Sequence, residues 1–182
     1  MFIQQKIFLV SFTAFLASLL AHHYLILPVE GAIFGVMPEA SLLFIPHGAM
    51  VLLGVLFSWA SVLGVFAAHI VIILLPKNPF IFGENALWAI ANSLSVPVSI
   101  FLMTHLGIIK SAYKNNSLGF NFILSVGLIS AFLIHLLFYV WLKITNLSIV
   151  SDIFLTSFIG HITGLFVISL GATIITNRGG TR

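Results

Sequence analysis

The stretch that decides the fold is ASLLFIPHGAMVLLGVLFSWASVLGVFAAHIVIILLP, residues 40–76, which contains no charged residue. Its 37 residues lie between Glu39 and Lys77. A transmembrane helix needs about 20 mostly apolar residues, so the run is too long for one ordinary span and short for two. It also holds Pro46 and His47 near its start, where a plain span would carry neither a helix breaker nor an ionisable group.

The composition of the 182 residues is that of a membrane protein, since 60% are hydrophobic and only 6% are charged. A soluble domain of this length needs more charge on its surface, so residues 1–182 are predicted to form a single integral membrane domain. The absence of cysteine excludes disulfides, thiolate metal ligands and a cysteine nucleophile. The formal net charge of +3 comes from scattered residues and not from a basic patch, so no nucleic-acid binding is expected.

Hydropathy and charge together predict an all-α fold, a polytopic transmembrane helix bundle of about six spans. The predicted spans cover residues 7–27, 42–57, 60–76, 85–109, 118–142 and 153–177. The long uncharged run is divided at Ser58 and Trp59 because lysine and arginine in short loops favour the cytoplasm. With this division, the residues placed in the cytoplasm beside both termini are Lys6, Lys110, Lys114, Arg178 and Arg182. We therefore expect a multi-pass protein of the bacterial inner (cytoplasmic) membrane.

The segment before the second span, residues 29–45, is predicted to be a loop or a re-entrant segment at the outer face. Irregular backbone at membrane depth is stable only where it is buried in protein or lines a wet cavity. Pro46 then falls in the first turn of a helix, where the N–H that it lacks would have had no partner. His47 is expected at the outer mouth of the second span.

Polar residues inside the predicted spans gather on the outer side of the membrane. Ionisable groups in a membrane are costly and usually face the bundle interior or a water-filled cavity. We therefore predict one shared polar cavity that opens to the periplasm and binds a small molecule or ion. The residues predicted to line this cavity are His47, His69, Asn92, His135 and His161. Because histidine titrates near neutral pH, binding is expected to depend on pH.

Other roles for the histidines stay open. Each can serve as a neutral hydrogen-bond donor between helices, and a facing pair such as His135 and His161 can hold a b-type haem or a metal ion. No two histidines are four residues apart and no carboxylate lies near them in sequence, so no cofactor is predicted and a metal remains an open question. The spans carry no acid pair, nucleophile motif or glycine-rich phosphate loop, so we expect no enzyme activity.

Three segments resemble a known family of membrane domains. LFIPHGAMVLLGVLFSWASVLGVFAAHI (43–70), ENALWAIANSLSVPVSIFLM (84–103) and SFIGHITGLFVISLGATI (157–174) are similar to the bacterial membrane-associated sensor domains of the first MASE class. The resemblance implies a sensor-like protein that signals through a partner. In the closing helix of that family an aspartate follows the glycine, whereas this chain has His161. The family domains are also usually longer and are fused to a cytoplasmic output module.

A second resemblance implies a different function. The S components of energy-coupling-factor transporters are six-helix proteins of similar length, and their first helix carries small residues four apart, as Ala17 and Ala21 are here. We therefore expect a sensor-like or accessory membrane subunit, with small-molecule uptake and haem or metal binding as alternatives. The expected partners are the lipid bilayer, a membrane or cytoplasmic protein and a small ligand.

Overall fold

The structure, a computed structural model, describes residues 2–34, 41–74, 86–108, 119–144 and 151–179. Within these ranges the chain is helical and forms no β-strand, which confirms the predicted all-α fold. The α-helices are α1 (Phe2–Ala21), α2 (Leu27–Phe34), α3 (Ile45–Phe57), α4 (Val62–Leu74), α5 (Ala86–His105), α6 (Phe120–Ile144) and α7 (Ser151–Gly179). The predicted loop residues Lys77, Glu84, Lys110 and Lys114 lie outside the described ranges.

Four helical stretches of the described chain are long and apolar enough to cross a membrane. They are Phe2–Phe34, Ile45–Leu74, Phe120–Trp141 and Phe154–Ile174. Length and apolar composition are the properties that a span requires, so the structure supports the prediction of a membrane protein.

The first helical stretch, Phe2–Phe34, is longer at both ends than the sequence predicts. A π-helical turn at His22–Ile26 joins α1 to α2. It lies just before Pro28, whose ring in a regular α-helix would clash with the carbonyl four residues earlier. Residues 29–34 are therefore helical and do not form a loop, because the wider turn lets the helix continue past the proline. Residues 35–40 lie outside the described residues, and residues 41–44 are non-helical, in agreement with the prediction.

The long uncharged run breaks where the sequence predicts. Helices α3 and α4 are separated by a 3-10 turn, Ser58–Ser61. Ser58 has φ 51° and ψ −132°, which ends the helical path of α3. A non-glycine residue with positive φ is uncommon and marks a tight change of chain direction.

Contacts with the first helix show which way the chain runs on each side of this break. Just before α3 the chain lies beside the C-terminal end of α1. After the 3-10 turn it lies near the middle of α1, and along α4 it returns towards the C-terminal end. The contacts are His22 with Phe44 (ring centroids 4.9 Å apart), Ser11 with Gly64, and Phe15 with His69 (4.7 Å). Helices α3 and α4 therefore form a V-shaped hairpin whose arms run in opposite directions along α1.

The non-helical segment Ser41–Phe44 lies directly on helix α7. The Phe44 N–H donates to the Gly160 carbonyl over 2.9 Å, and the Thr163 hydroxyl donates to the Leu42 carbonyl. Two glycines leave room for this backbone, because a Cβ atom at Gly160 or Gly164 would strike main-chain atoms of the segment. Small residues four apart commonly allow two helices to pack closely; here Gly160 and Gly164 admit a non-helical segment.

Replacing Gly164 with alanine should destabilise the bundle, because the new methyl group meets the carbonyl of Phe44 and the nitrogen of Ile45. Overpacking of this kind costs about 1–3 kcal/mol. Gly171 on the same helix has no atom within 4 Å of such a methyl group, so Gly171→Ala is the matched control and should not lower the free energy of unfolding. Thermal unfolding in detergent measures the stability of both variants. An equal loss for the two variants would contradict the packing described.

Candidate functional site

Three of the five predicted cavity residues meet in the core of the bundle. His47 comes from α3, His135 from α6 and His161 from α7, and all three are buried. The ring centroid of His161 lies 4.7 Å from that of His47 and 4.8 Å from that of His135. These three residues are called the histidine cluster below. The cluster is assembled by tertiary structure, since its members are far apart in the sequence.

Each imidazole of the histidine cluster is anchored to a main-chain carbonyl. Nδ1 of His135 lies 2.8 Å from the Ala131 oxygen, and Nδ1 of His161 lies 2.7 Å from the Ser157 oxygen. Nε2 of His47 lies 3.2 Å from the Gly127 oxygen. A carbonyl oxygen only accepts, so in the neutral ring each of these nitrogens carries the hydrogen and the other nitrogen keeps a lone pair.

Few hydrogen-bond donors reach the other nitrogen of each ring, which holds the lone pair. Nε2 of His135 accepts from the Ser157 hydroxyl at 3.3 Å. Nδ1 of His47 is buried and has no hydrogen-bond partner. The nearby Ser130 hydroxyl lies 3.4 Å from the other ring nitrogen, Nε2, and donates to the Gly127 carbonyl at 3.0 Å. A buried acceptor without a donor is uncommon in a native core and requires an explanation.

A fourth histidine that the prediction left out of the cavity extends the cluster. The Phe44 ring lies between His22 and His161, with centroid distances of 4.9 Å and 4.8 Å. The Phe44 ring thus connects His22 to the cluster. In the sequence Phe44 looks like an ordinary apolar residue, so nothing there indicates this contact.

The other two predicted residues make their contacts elsewhere. His69 packs against Phe15 with ring centroids 4.7 Å apart, and its Nδ1 lies 3.1 Å from the Val65 oxygen. The Asn92 amide donates to the Trp88 carbonyl over 2.9 Å, one turn earlier in α5. Their polar groups are thus satisfied within their own helices, and the structure does not bring these two residues to the cluster.

A buried carboxyl group lies at the same end of the bundle. Oε1 of Glu30 accepts from the Ser41 hydroxyl at 3.0 Å and from the Leu43 N–H at 2.9 Å. Its Oε2 is buried without a hydrogen-bond partner. Glu39, the next acidic residue along the chain, is outside the described residues.

The geometry bears on the haem and metal alternatives. Axial ligands of one haem lie on opposite faces of a flat macrocycle, whereas the rings of His135 and His161 are in direct contact. Across the described residues, no three His, Asp or Glu side chains are placed to hold one metal ion as they stand. The cluster is therefore arranged as a set of hydrogen-bonding imidazoles.

The hydrogen bonds predict the tautomer of each ring. In neutral protein above pH 8, His135 and His161 should carry their hydrogen on Nδ1, and His47 should carry it on Nε2. NMR of protein labelled with 15N-histidine in nanodiscs separates the two tautomers, and single His→Phe variants assign the signals. A hydrogen on Nε2 of His161 would contradict the anchoring to Ser157.

Comparison of the chain with protein-family models, with curated proteins and with solved structures finds no match. The resemblances to the membrane-associated sensor domains and to the transporter S components stay predictions.

Proposed function

We propose that this chain is a non-enzymatic, multi-pass protein of the bacterial inner membrane that binds a small ligand or ion at the histidine cluster. It acts as a sensor-like or accessory subunit and passes the binding event to a partner protein. The observation that carries the proposal is the contact of three buried imidazoles from three helices, one of them with an unfilled lone pair. Ionisable groups inside a membrane are expensive and commonly mark ligand or ion sites.

The proposed topology has six passes with both termini in the cytoplasm. It is supported by the reversal of the chain at Ser58–Ser61, since the arms of the hairpin run in opposite directions along α1. Each arm has 13 residues and rises about 20 Å, which is shorter than the hydrocarbon core of about 30 Å. Local thinning of the bilayer accommodates short spans at modest cost.

Single cysteines at Asn78 and Asn115 test this topology. In the six-pass arrangement Asn78 follows α4 on the periplasmic side and Asn115 follows α5 on the cytoplasmic side. A membrane-impermeant maleimide added to intact spheroplasts should label the first cysteine, and should label the second only after lysis. Labelling of both cysteines from one side would refute the arrangement.

Ligand binding is tested by thermal shift of the purified protein with three probes: ammonium, zinc and nitrate ions, which represent an N–H donor, a metal and an anion. At least one probe should raise the melting temperature of the wild type. The size of the shift should change as the pH is lowered, because protonation removes the lone pairs of the imidazoles. A probe that uses imidazole lone pairs should bind less at low pH, and an anion should bind more.

Three variants link this shift to the cluster. His135→Phe and His161→Phe keep the bulk of the side chain and remove the ring nitrogens, so either should abolish the shift. His69→Phe is the matched control, since His69 is another membrane histidine whose contacts lie outside the cluster. If no probe shifts the melting temperature, or if all three variants respond like the wild type, the histidines are packing residues and the proposal fails.

A further inference from the structure

Three buried polar atoms without partners surround the start of α3. They are Nδ1 of His22, Nδ1 of His47 and Oε2 of Glu30. The exposed fraction of these residues is 1%, 1% and 6%, so each is more than nine-tenths buried. Buried acceptors without a donor are uncommon in native proteins, so three of them around one short segment require an explanation.

All three residues attach to the same short stretch of chain. Glu30 accepts from Ser41 and Leu43. His22 packs edge-on against Phe44, and the His47 N–H donates to the Phe44 carbonyl over 3.2 Å. The three residues that carry the unfilled atoms are therefore all neighbours of the segment Ser41–Phe44.

Every one of these atoms accepts hydrogen bonds. His47 gives its ring hydrogen to the Gly127 carbonyl from Nε2, so its Nδ1 holds a lone pair. Nδ1 of His22 is buried without a partner, and in the neutral ring with its hydrogen on Nε2 this nitrogen also holds a lone pair. The Glu30 oxygen is an acceptor whenever the carboxyl group is ionised.

We infer that the ligand of this region is a small cation that carries several N–H donors, namely ammonium or a protonated primary amine. This inference rests on the proposed function and specifies the ligand class at the same site. The region offers lone pairs and a carboxyl group, which attract a positive donor and repel an anion. Among the described side chains the one lysine, Lys6, is exposed at the opposite end of the first helix and supplies no competing charge.

The spacing of the acceptors favours an N–H donor over a metal ion. Zinc requires its ligand atoms within about 2.0–2.2 Å of one point, and no group of three candidate ligands among the described residues satisfies this. Hydrogen bonds from nitrogen reach about 2.7–3.2 Å, and an ammonium group donates in several directions, so it can serve more widely spaced acceptors.

Aromatic contacts add to the attraction for a cation. Phe44 lies between His22 and His161, and the negative face of an aromatic ring attracts a cation within about 6 Å. Because the acceptors are buried beside Ser41–Phe44, the ligand reaches them when this non-helical segment moves. The Glu30 carboxyl group then gives up its two hydrogen bonds to the segment and accepts hydrogen bonds from the cation.

The experiment compares ions of equal charge that differ in their hydrogen-bond donors. Full-length protein in nanodiscs is titrated with ammonium, methylammonium, potassium or tetramethylammonium chloride at constant ionic strength, and the melting temperature is followed. Ammonium and methylammonium should raise it, whereas potassium, which is close to ammonium in size, and tetramethylammonium, which lacks N–H groups, should not. Equal shifts with potassium and ammonium would overturn the inference.

Variants test the named acceptors. His47→Phe and Glu30→Gln should each weaken the apparent affinity for ammonium by about tenfold or more, as expected for the loss of a hydrogen bond to a charged group. His69→Phe should leave it unchanged. Should His47→Phe fail to fold, His22→Phe tests the same acceptor set. Unchanged ammonium affinity in the acceptor variants that fold would also overturn the inference.

The outcomes separate this inference from the proposed function. A shift with zinc or nitrate alone, lost in His161→Phe, would show that the cluster binds a ligand of another class, so the inference fails while the proposed function stands. The absence of any shift with every probe would refute both.

Discussion

The structure depends on the need to satisfy backbone polar groups where the chain is not helical. A helix satisfies its own N–H and C=O groups, whereas a non-helical segment packed against the protein must find partners elsewhere in the chain. The segment Ser41–Phe44 meets this need with a carboxyl oxygen of Glu30, the carbonyl of Gly160 and the hydroxyl of Thr163. These bonds hold the start of α3 against α7 and thereby set the position of the residues that follow.

The same constraint assembles the candidate site. Once Phe44 is bonded to Gly160, the next turn of α3 carries His47 into contact with His161, one residue further along α7. Helix α6 completes the cluster, because its Gly127 carbonyl accepts from His47 and its His135 packs on His161. Each ring uses one nitrogen to satisfy a carbonyl, so the arrangement that stabilises the fold also decides which lone pairs remain available for a ligand.

Much of the fold was predictable because lipid imposes simple rules. Uncharged runs of sufficient length give the helices, and the excess length between Glu39 and Lys77 gave the break at Ser58. The continuation of the first helix through Pro28 was missed, because a π-helical turn depends on local hydrogen bonding that hydropathy does not report. The candidate site was predicted in part: the sequence named His47, His135 and His161, which the structure brings together, but hydropathy does not show which face of a helix a side chain occupies.

The sequence by itself indicated a helical membrane protein, the break between α3 and α4, and the polar residues that lie within the predicted spans. Only the tertiary structure decided that His161 meets His47 and His135 while His69 packs against Phe15. It also decided that Glu30 holds Ser41 and Leu43. The reason is physical: hydropathy depends on composition along the chain, whereas the partner of a buried polar group depends on helix rotation and close backbone packing, which here follow from glycines such as Gly160 and Gly164.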